Sequence, residues 1–516
     1  MNEDIIHLTG DHKEIFYQLG LKEKESFFDL EKNISLLLSK INLLGIGNQI
    51  LSRSKLMMKK KSTSFFKECL TAYSDGLGIK SDRYENLIQM LEVAAHYGQV
   101  YPELKNLIPG CTSVLKESAG DFTHSRILDF PLINLSKSKK KNYFWDFKNK
   151  SSFLSFSFEG LAPMVFQAFH SHGLTFALHF KPSKDQFYDG PSISEIVLSS
   201  LLESKNLNEL KDHIKSYHSQ TKWGIIACQD DGKVLSLDIE GPKIDFEFFN
   251  LNDSSPLVFT NLPLKSSTNE APSFIQFCKN REKFILKKLK NHPKAHPLEL
   301  MTELPQKKSN DGPYSTLTLS SVAAYHLNLT SGYIDFKDSS GIVLPSDPVL
   351  RLELSGPKKI TLQKSQTDLT PMEQSWKKAA CAQNLYDQKK FNEAYHELQL
   401  AIALCPHEVW RNIFSFYQCI WEFQFLSNNT ELSLVYKDLI RLKLPQELVP
   451  HHQLMIFRFE KKLQLVSTIS KDSLPNYYKD LLKLESEAST PLFTAWMNLL
   501  YPRLDILDIL SPYFKS

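Results

Sequence analysis

A change of texture at Cys111 constrains this 516-residue chain more than any other feature. Before it, apolar side chains recur at three- and four-residue spacing in EIFYQLGLKEKESFFDLEKNISLLLSKI and again in RYENLIQMLEVAAHYGQVYPELKNLI. That period gathers apolar groups on one face of a helix, so residues 1–110 are predicted to be a mostly helical segment. Pro109 and Gly110 break the pattern immediately before Cys111. After it come short β-type runs, among them CTSVLK, FTHSRILDF, FLSFSF, LTFALHF, GIIACQDDGKVLSLDI and PLVFTNL, separated by turn residues.

Asp230, Asp231 and Gly232 read as the turn of a hairpin within this region. Helical intervals in ISEIVLSSLLESKNLNELKDHIKSYHS and SFIQFCKNREKFILKKLKN, with a late strand pair in SVAAYHLNLTSGYIDF, make residues 111–360 a mixed unit with largely antiparallel hairpins. The polar stretch GPKKITLQKSQTDLTP marks a linker, placed at 361–372, and 373–516 is expected to be all helical. There, WKKAACAQNLYDQKKFNEAYHELQLAIALCP resembles a tetratricopeptide repeat, with small or apolar residues where its two helices must touch and Pro406 closing the unit.

Composition removes several classes of function. With 42% hydrophobic and 23% charged residues the chain can bury a large core, and its length allows two to four structural units. The 61 basic residues nearly balance 58 acidic ones, leaving +3, so no overall field recruits nucleic acid. No stretch is long and apolar enough to span a bilayer, and the acidic start MNEDIIHLTGDHKE lacks the pattern of a signal peptide. A cytoplasmic location without an integral membrane segment is therefore expected. Seven scattered cysteines, never spaced as CxxC, argue against a disulfide framework or a zinc site. His124, His172 and His179 lie in strand-like runs without the carboxylate or cysteine spacing of a metal site, and no metal or cofactor is expected. Lys59, Lys60 and Lys61 read as a solvated face or loop, and SKSKKKNYFWDF as a loop beside the pocket.

The chemistry concentrates in PGCTSVLKESAGDFTHSRILDFPL. A cysteine opens a β-hairpin, and Arg126 and Asp129 return on its second strand. A thiol attacks a carbonyl as thiolate, which a nearby guanidinium favours. A carboxylate at Asp129 could hold the amine of a newly exposed N-terminal cysteine where it acts as base.

Cys-Thr-Ser-Val, followed by a Gly turn and His-Ser-Arg-Ile-Leu-Asp-Phe, resembles the acid ceramidase, N-acylethanolamine acid amidase and penicillin acyltransferase group, relatives of choloylglycine hydrolase. HLTGDHKEIFYQLG is similar to the group's opening signature, SFEGLAPMVFQAFHSHGLTFALHF to its strand pair, FTNLP to its Thr-Asn element and SVAAYHLNLTSGYIDF to its closing hairpin. The matches run in order over roughly residues 8 to 336.

The resemblance implies an α+β fold, a four-layer αββα N-terminal-nucleophile hydrolase sandwich, followed here by the all-α helical-repeat domain. It also implies a precursor that cuts itself between Gly110 and Cys111, leaving residues 1–110 and 111–516 associated. Cys111 would then attack a linear, fatty or otherwise apolar N-acyl amide, with its own α-amine as base. Carried over by position, Asn261 is an oxyanion donor, and Arg281, on FCKNREKFILKKL, matches a basic residue that supports the site in the group. The pattern is also departed from. Cys111 to Arg126 is one residue shorter than usual, which demands a tighter turn, and Ser125-Arg126-Ile127 replaces Gly-Arg-Asn. His170 and Cys228 stand where relatives carry further asparagines; a histidine can donate a hydrogen bond, whereas a thiol donates poorly. Three outcomes therefore stay open at the level of sequence: hydrolysis of the acyl-thioester, its transfer to an acceptor amine, or a catalytically reduced scaffold that binds a protein partner through the helical tail.

Overall fold

In a computed structural model, residues 5–42, 61–100, 111–129, 140–181, 189–265, 272–304, 315–337, 341–354, 360–445, 448–469 and 479 are described. Gly110, Lys59 and Lys60 lie outside them, as does nearly all of the chain after 469.

Among these residues fifteen strands form two sheets. The first contains, in spatial order, β1 (Ile6–Gly10), β4 (Lys140–Phe147), β5 (Phe153–Phe158), β6 (Gln167–His170), β7 (Leu174–Phe180), β8 (Lys222–Gln229), β9 (Lys233–Glu240) and β10 (Lys243–Asn250). The second runs β11 (Leu257–Phe259), β2 (Cys111–Ser118), β3 (Asp121–Asp129), β12 (Ser321–Asn328), β13 (Tyr333–Lys337), β14 (Val349–Glu353) and β15 (Ile360–Lys364). All pairings are antiparallel except β1 with β4, where Ile6 lies opposite Tyr143 and Gly10 opposite Phe147.

Helices cover the outer faces. Against the first sheet lie α1 (His12–Asn42), α2 (Ser64–Leu77), α3 (Ser81–Val100), α4 (Ile193–Glu203) and α5 (Leu207–Lys215), joined to it in one hydrophobic core. After the one-turn helix α6 (Leu251–Ser254), α7 (Pro272–Asn291) and α8 (Pro297–Met301) pack outside the second sheet. The alternation of strand side chains makes this possible. On β2 and β3, Cys111 and Leu128 belong to the core shared with the first sheet, while Val114 and Ile127 face the core containing Ile285 and Leu298. The layers are thus helices, sheet, sheet, helices.

α1 and α2 cross at Gly20 and Gly76, where a Cβ on Gly20 would stand 2.2 Å from the Tyr73 carbonyl oxygen and one on Gly76 2.3 Å from that of Tyr17. Only glycine permits so close an approach.

Two expectations change and one gains detail. The N-terminal segment, mostly helical among its described residues, begins with β1, an edge strand of the first sheet. KKNYFWDF is β4, not a loop, and its alternate residues Tyr143, Trp145 and Phe147 are buried. The expected linker begins with β15, paired to β14.

Beyond β15, Thr370 starts α9 (Pro371–Asp387) through a reciprocal cap in which its hydroxyl accepts from Glu373 N while Glu373 accepts from Thr370 N. α9 and α10 (Phe391–Leu404) form an antiparallel hairpin: Ser375 Oγ donates to Ala401 O at 2.6 Å, and Lys378 pairs with Glu397. α11 (Glu408–Phe425), α12 (Asn429–Leu439) and α13 (Val449–Lys462) continue this helical region. Its core is continuous with the outer face of the second sheet, since Trp376 and Met372 share a cluster with Val343, Leu344 and Leu298. Among the described residues no helix is long and apolar enough to cross a membrane.

Candidate active site

The β2–β3 hairpin closes through Ala119 and Gly120, both at positive φ (55° and 86°), between the paired residues Ser118 and Asp121. A two-residue turn of this hand matches the twist of the strands and accommodates the short interval between Cys111 and Arg126. The register sets Cys111 opposite Leu128 and Ser113 opposite Arg126, so Arg126 and Cys111 emerge on one face, toward the first sheet.

There Arg126 Nη2 lies 2.9 Å from Cys111 Sγ, and its guanidinium also donates to the carbonyls of Phe166 and Leu178. The thiol itself lies 3.9 Å from the Leu178 carbonyl oxygen. Burial pushes the Cys111 thiol above its ordinary pKa, against the pull of Arg126. Cys111 is 1% exposed. The guanidinium therefore opposes the cost of forming a thiolate without overcoming it.

The backbone nitrogen of Cys111 points the other way. It donates to Asn261 Oδ1 at 3.0 Å, and Arg281 Nη2 donates to the same oxygen at 2.9 Å. Two donors on one oxygen fix the orientation of the amide, whose Nδ2 donates to the Phe180 carbonyl at 2.9 Å. Arg281, on α7, also pairs with Asp129 through Nη1 at 3.0 Å, and Ser321 Oγ donates to the other Asp129 oxygen at 2.6 Å. Burial raises the Asp129 carboxyl above its usual range, with Arg281 the main opposing influence. Arg126, Asp129, Asn261 and Arg281 are each no more than 1% exposed.

The site thus brings together Cys111, Arg126, Asn261, Arg281 and Asp129, the last through Arg281. It does not bring in His170 or Cys228. His170 pairs with Leu174, four residues or about 13 Å along β7 from Leu178, and its Nε2 bonds to the Leu201 carbonyl. Cys228 sits opposite Thr175 in a small apolar cluster with Leu115, Val234 and Leu251, and burial pushes its thiol up. The Asn261 Nδ2 that position would assign to an oxyanion is bonded to Phe180.

The sequence did not reveal several contacts between the sheets. Ser113 Oγ bridges His179 Nε2 (2.8 Å) and His124 Nε2 (3.1 Å), and His124 Nδ1 meets Thr175 Oγ1 at 2.9 Å. These two histidines are spent on hydroxyls between the sheets, and burial depresses both, His124 to about 3. Ser321 was readable only as part of a strand. Lys181 follows the alternating run LTFALHF and continues the face of Thr175 and His179, so nothing in the sequence marks it.

The sequence matches no protein-family model and no curated protein. Among solved structures, an N-acylethanolamine-hydrolyzing acid amidase ortholog from Caenorhabditis elegans is similar at 16% identity, covering 43% of this chain and 93% of its own, with a TM-score of 0.31. Penicillin V acylase from Agrobacterium tumefaciens is similar at 12% identity, over 50% of this chain and 100% of its own, with a TM-score of 0.31. A variant of conjugated bile acid hydrolase from Clostridium perfringens is similar at 12% identity, over 50% and 99%, with a TM-score of 0.29.

Proposed function

We propose that the chain is a self-processing cysteine amidase of the N-terminal-nucleophile class, acting on linear, apolar N-acyl amides through an acyl-thioester on Cys111. The observation that carries this reading is the double anchoring of one residue: the thiol of Cys111 against Arg126 and its backbone nitrogen against Asn261. A nucleophile whose own nitrogen is to serve as base needs both atoms oriented.

In the processing step Cys111 Sγ forms a bond to the Gly110 carbonyl carbon while the C–N bond between the two residues breaks. The thiol proton passes to the departing nitrogen, which becomes the α-amine of Cys111. Water then cleaves the thioester, giving a carboxyl at Gly110 and a free thiol. In turnover the amine takes the thiol proton, the thiolate attacks the substrate carbonyl, and the leaving amine is protonated. Water releases the acyl group, or an acceptor amine captures it.

A second reading has its own support. Asn261 Nδ2 is committed to Phe180, and neither His170 nor Cys228 lies at the thiol, so a reduced enzyme whose tetratricopeptide-like tail binds a partner is the alternative. A panel of N-acyl amides of graded chain length, with and without an acceptor amine, separates these. Cys111-dependent release of free acid supports hydrolysis, and a new amide supports transfer. No turnover of any member, with wild type and Cys111→Ala indistinguishable, leaves the scaffold reading.

A further inference from the structure

Lys181 follows β7 and is 1% exposed. Its ammonium donates to the carbonyls of Thr260 at 3.2 Å and Leu262 at 2.5 Å, and stands 3.7 Å from Asp238 Oδ1. The other Asp238 oxygen accepts the backbone N–H of Leu264 at 2.7 Å. Both buried charges are thus directed at one short segment, Thr260–Leu264, and the residue between the two carbonyls bound by the ammonium is Asn261. Burying a lysine and an aspartate is costly unless both are paired and hydrogen-bonded, and an apolar pair could fill the same space. The pairing is specific in what it holds: a loop with no regular secondary structure to fix it, bearing the side chain that meets Cys111.

The fold makes room for this arrangement. Gly224 lies between His179 on β7 and Asp238 on β9, and a Cβ there would stand 2.2 Å from Lys181 Cε. A larger residue would force the end of the Lys181 side chain to shift.

We propose that Lys181 and Asp238 are a positioning pair, seated on Gly224, that fixes Thr260–Leu264 so that Asn261 Oδ1 faces the nitrogen of Cys111. The proposal rests on the amidase reading only in treating that nitrogen as the future base. The geometry it assigns is present whether or not the chain cuts itself.

The test uses the full chain in two arms. In a Cys111→Ala background, which cannot form the thioester, amide hydrogen exchange is followed at residue 111 and over 260–264, with Lys181→Met or Gly224→Ala added. The second variant displaces the ammonium without removing its charge. Exchange at residue 111 and in the segment is expected to accelerate at least tenfold in both, while the amides of Ile225–Ala227 and Leu235–Leu237 stay protected. A general loss of structure would expose those strands as well. With Cys111 restored, Lys181→Met is expected to slow self-cleavage at least tenfold, and to add nothing to Asn261→Ala, because both act through one contact. Unchanged exchange at residue 111, exchange raised equally across β8 and β9, or additive effects in the double variant would overturn the proposal. A wild-type chain that never cuts would overturn the amidase reading instead, and the exchange arm would still decide the positioning role.

Discussion

Asn261 and Cys111, 150 positions apart, meet through the asparagine's amide oxygen and the cysteine's backbone nitrogen at 3.0 Å. Because Arg281 donates to the same oxygen, Asn261 is held as an acceptor toward Cys111. Asn261→Ala removes that acceptor and is expected to slow processing by about 10- to 100-fold, the equivalent of roughly 1–3 kcal/mol for a buried polar group left unpaired. Asn261→Asp keeps an oxygen beside Arg281 and is expected to lose less. Timed denaturing electrophoresis reads both; equal rates for all three chains would remove Asn261 from the mechanism.

Arg126, more than the more distant Arg281, lowers the cost of ionising the buried Cys111 thiol. Arg126→Met is expected to move the midpoint of Cys111 alkylation further up the pH scale, since the main influence opposing burial is then gone. Arg126→Lys keeps the charge but not the fork that spans Cys111, Phe166 and Leu178, and is expected to fall between. Iodoacetamide labelling followed residue by residue with peptide mass mapping measures the shift. An unchanged midpoint in Arg126→Met would contradict the contact's importance.

Asp129 and Arg281 form a buried pair at 3.0 Å. Asp129→Asn removes this counter-charge from the buried guanidinium, and a loss of about 3–5 kcal/mol is expected in denaturant unfolding. Replacing both, Asp129→Leu with Arg281→Met, is expected to cost less stability than Asp129→Asn alone. Equal or greater loss in the double variant would show that the pair's partners, Ser321 and Asn261, carry the stability instead.

The contact between Cys111 and Arg126 was legible because it needs only a hairpin: strand alternation and a tight turn fix which residues face each other. Asn261 and Arg281 were reached only through resemblance, since a loop and a helix more than a hundred residues away must fold onto β2. His170 and Cys228 show the limit of carrying positions across. Strand register places His170 four and Cys228 three residues from the level of Leu178, and no local pattern reveals that offset. Likewise, β1 was hidden because an edge strand of five residues before a long helix has too little alternation to read. Trp145 and its neighbours were obscured by the lysines that open the same strand, Lys140 and Lys141.

Two buried carboxyls tie the N-terminal helices to the rest of the chain. Glu23 on α1 accepts from Tyr143 on β4, and from Tyr73 at 2.5 Å; Glu92 on α3 accepts from Ile193 N at 2.5 Å and Thr221 Oγ1 at 2.9 Å. Burial raises each to about 7. Their protonated forms are favoured in the fold, so the stability they contribute is complete below about pH 4.5 and is lost as pH rises through about 7. The loss is about 3 kcal/mol per carboxyl. Glu23→Gln and Glu92→Gln are therefore expected to flatten the fall in stability between pH 5 and about 8, measured by denaturant unfolding. A wild-type profile rising over that window, with no change in the variants, would contradict this assignment.

Intact mass of the purified full-length chain tests the central claim most directly, with wild type and Cys111→Ala prepared side by side. The account predicts two wild-type fragments, residues 1–110 and 111–516, and a single uncut Cys111→Ala chain. A wild-type chain that stays whole, or a Cys111→Ala chain cut at the same bond, would contradict it.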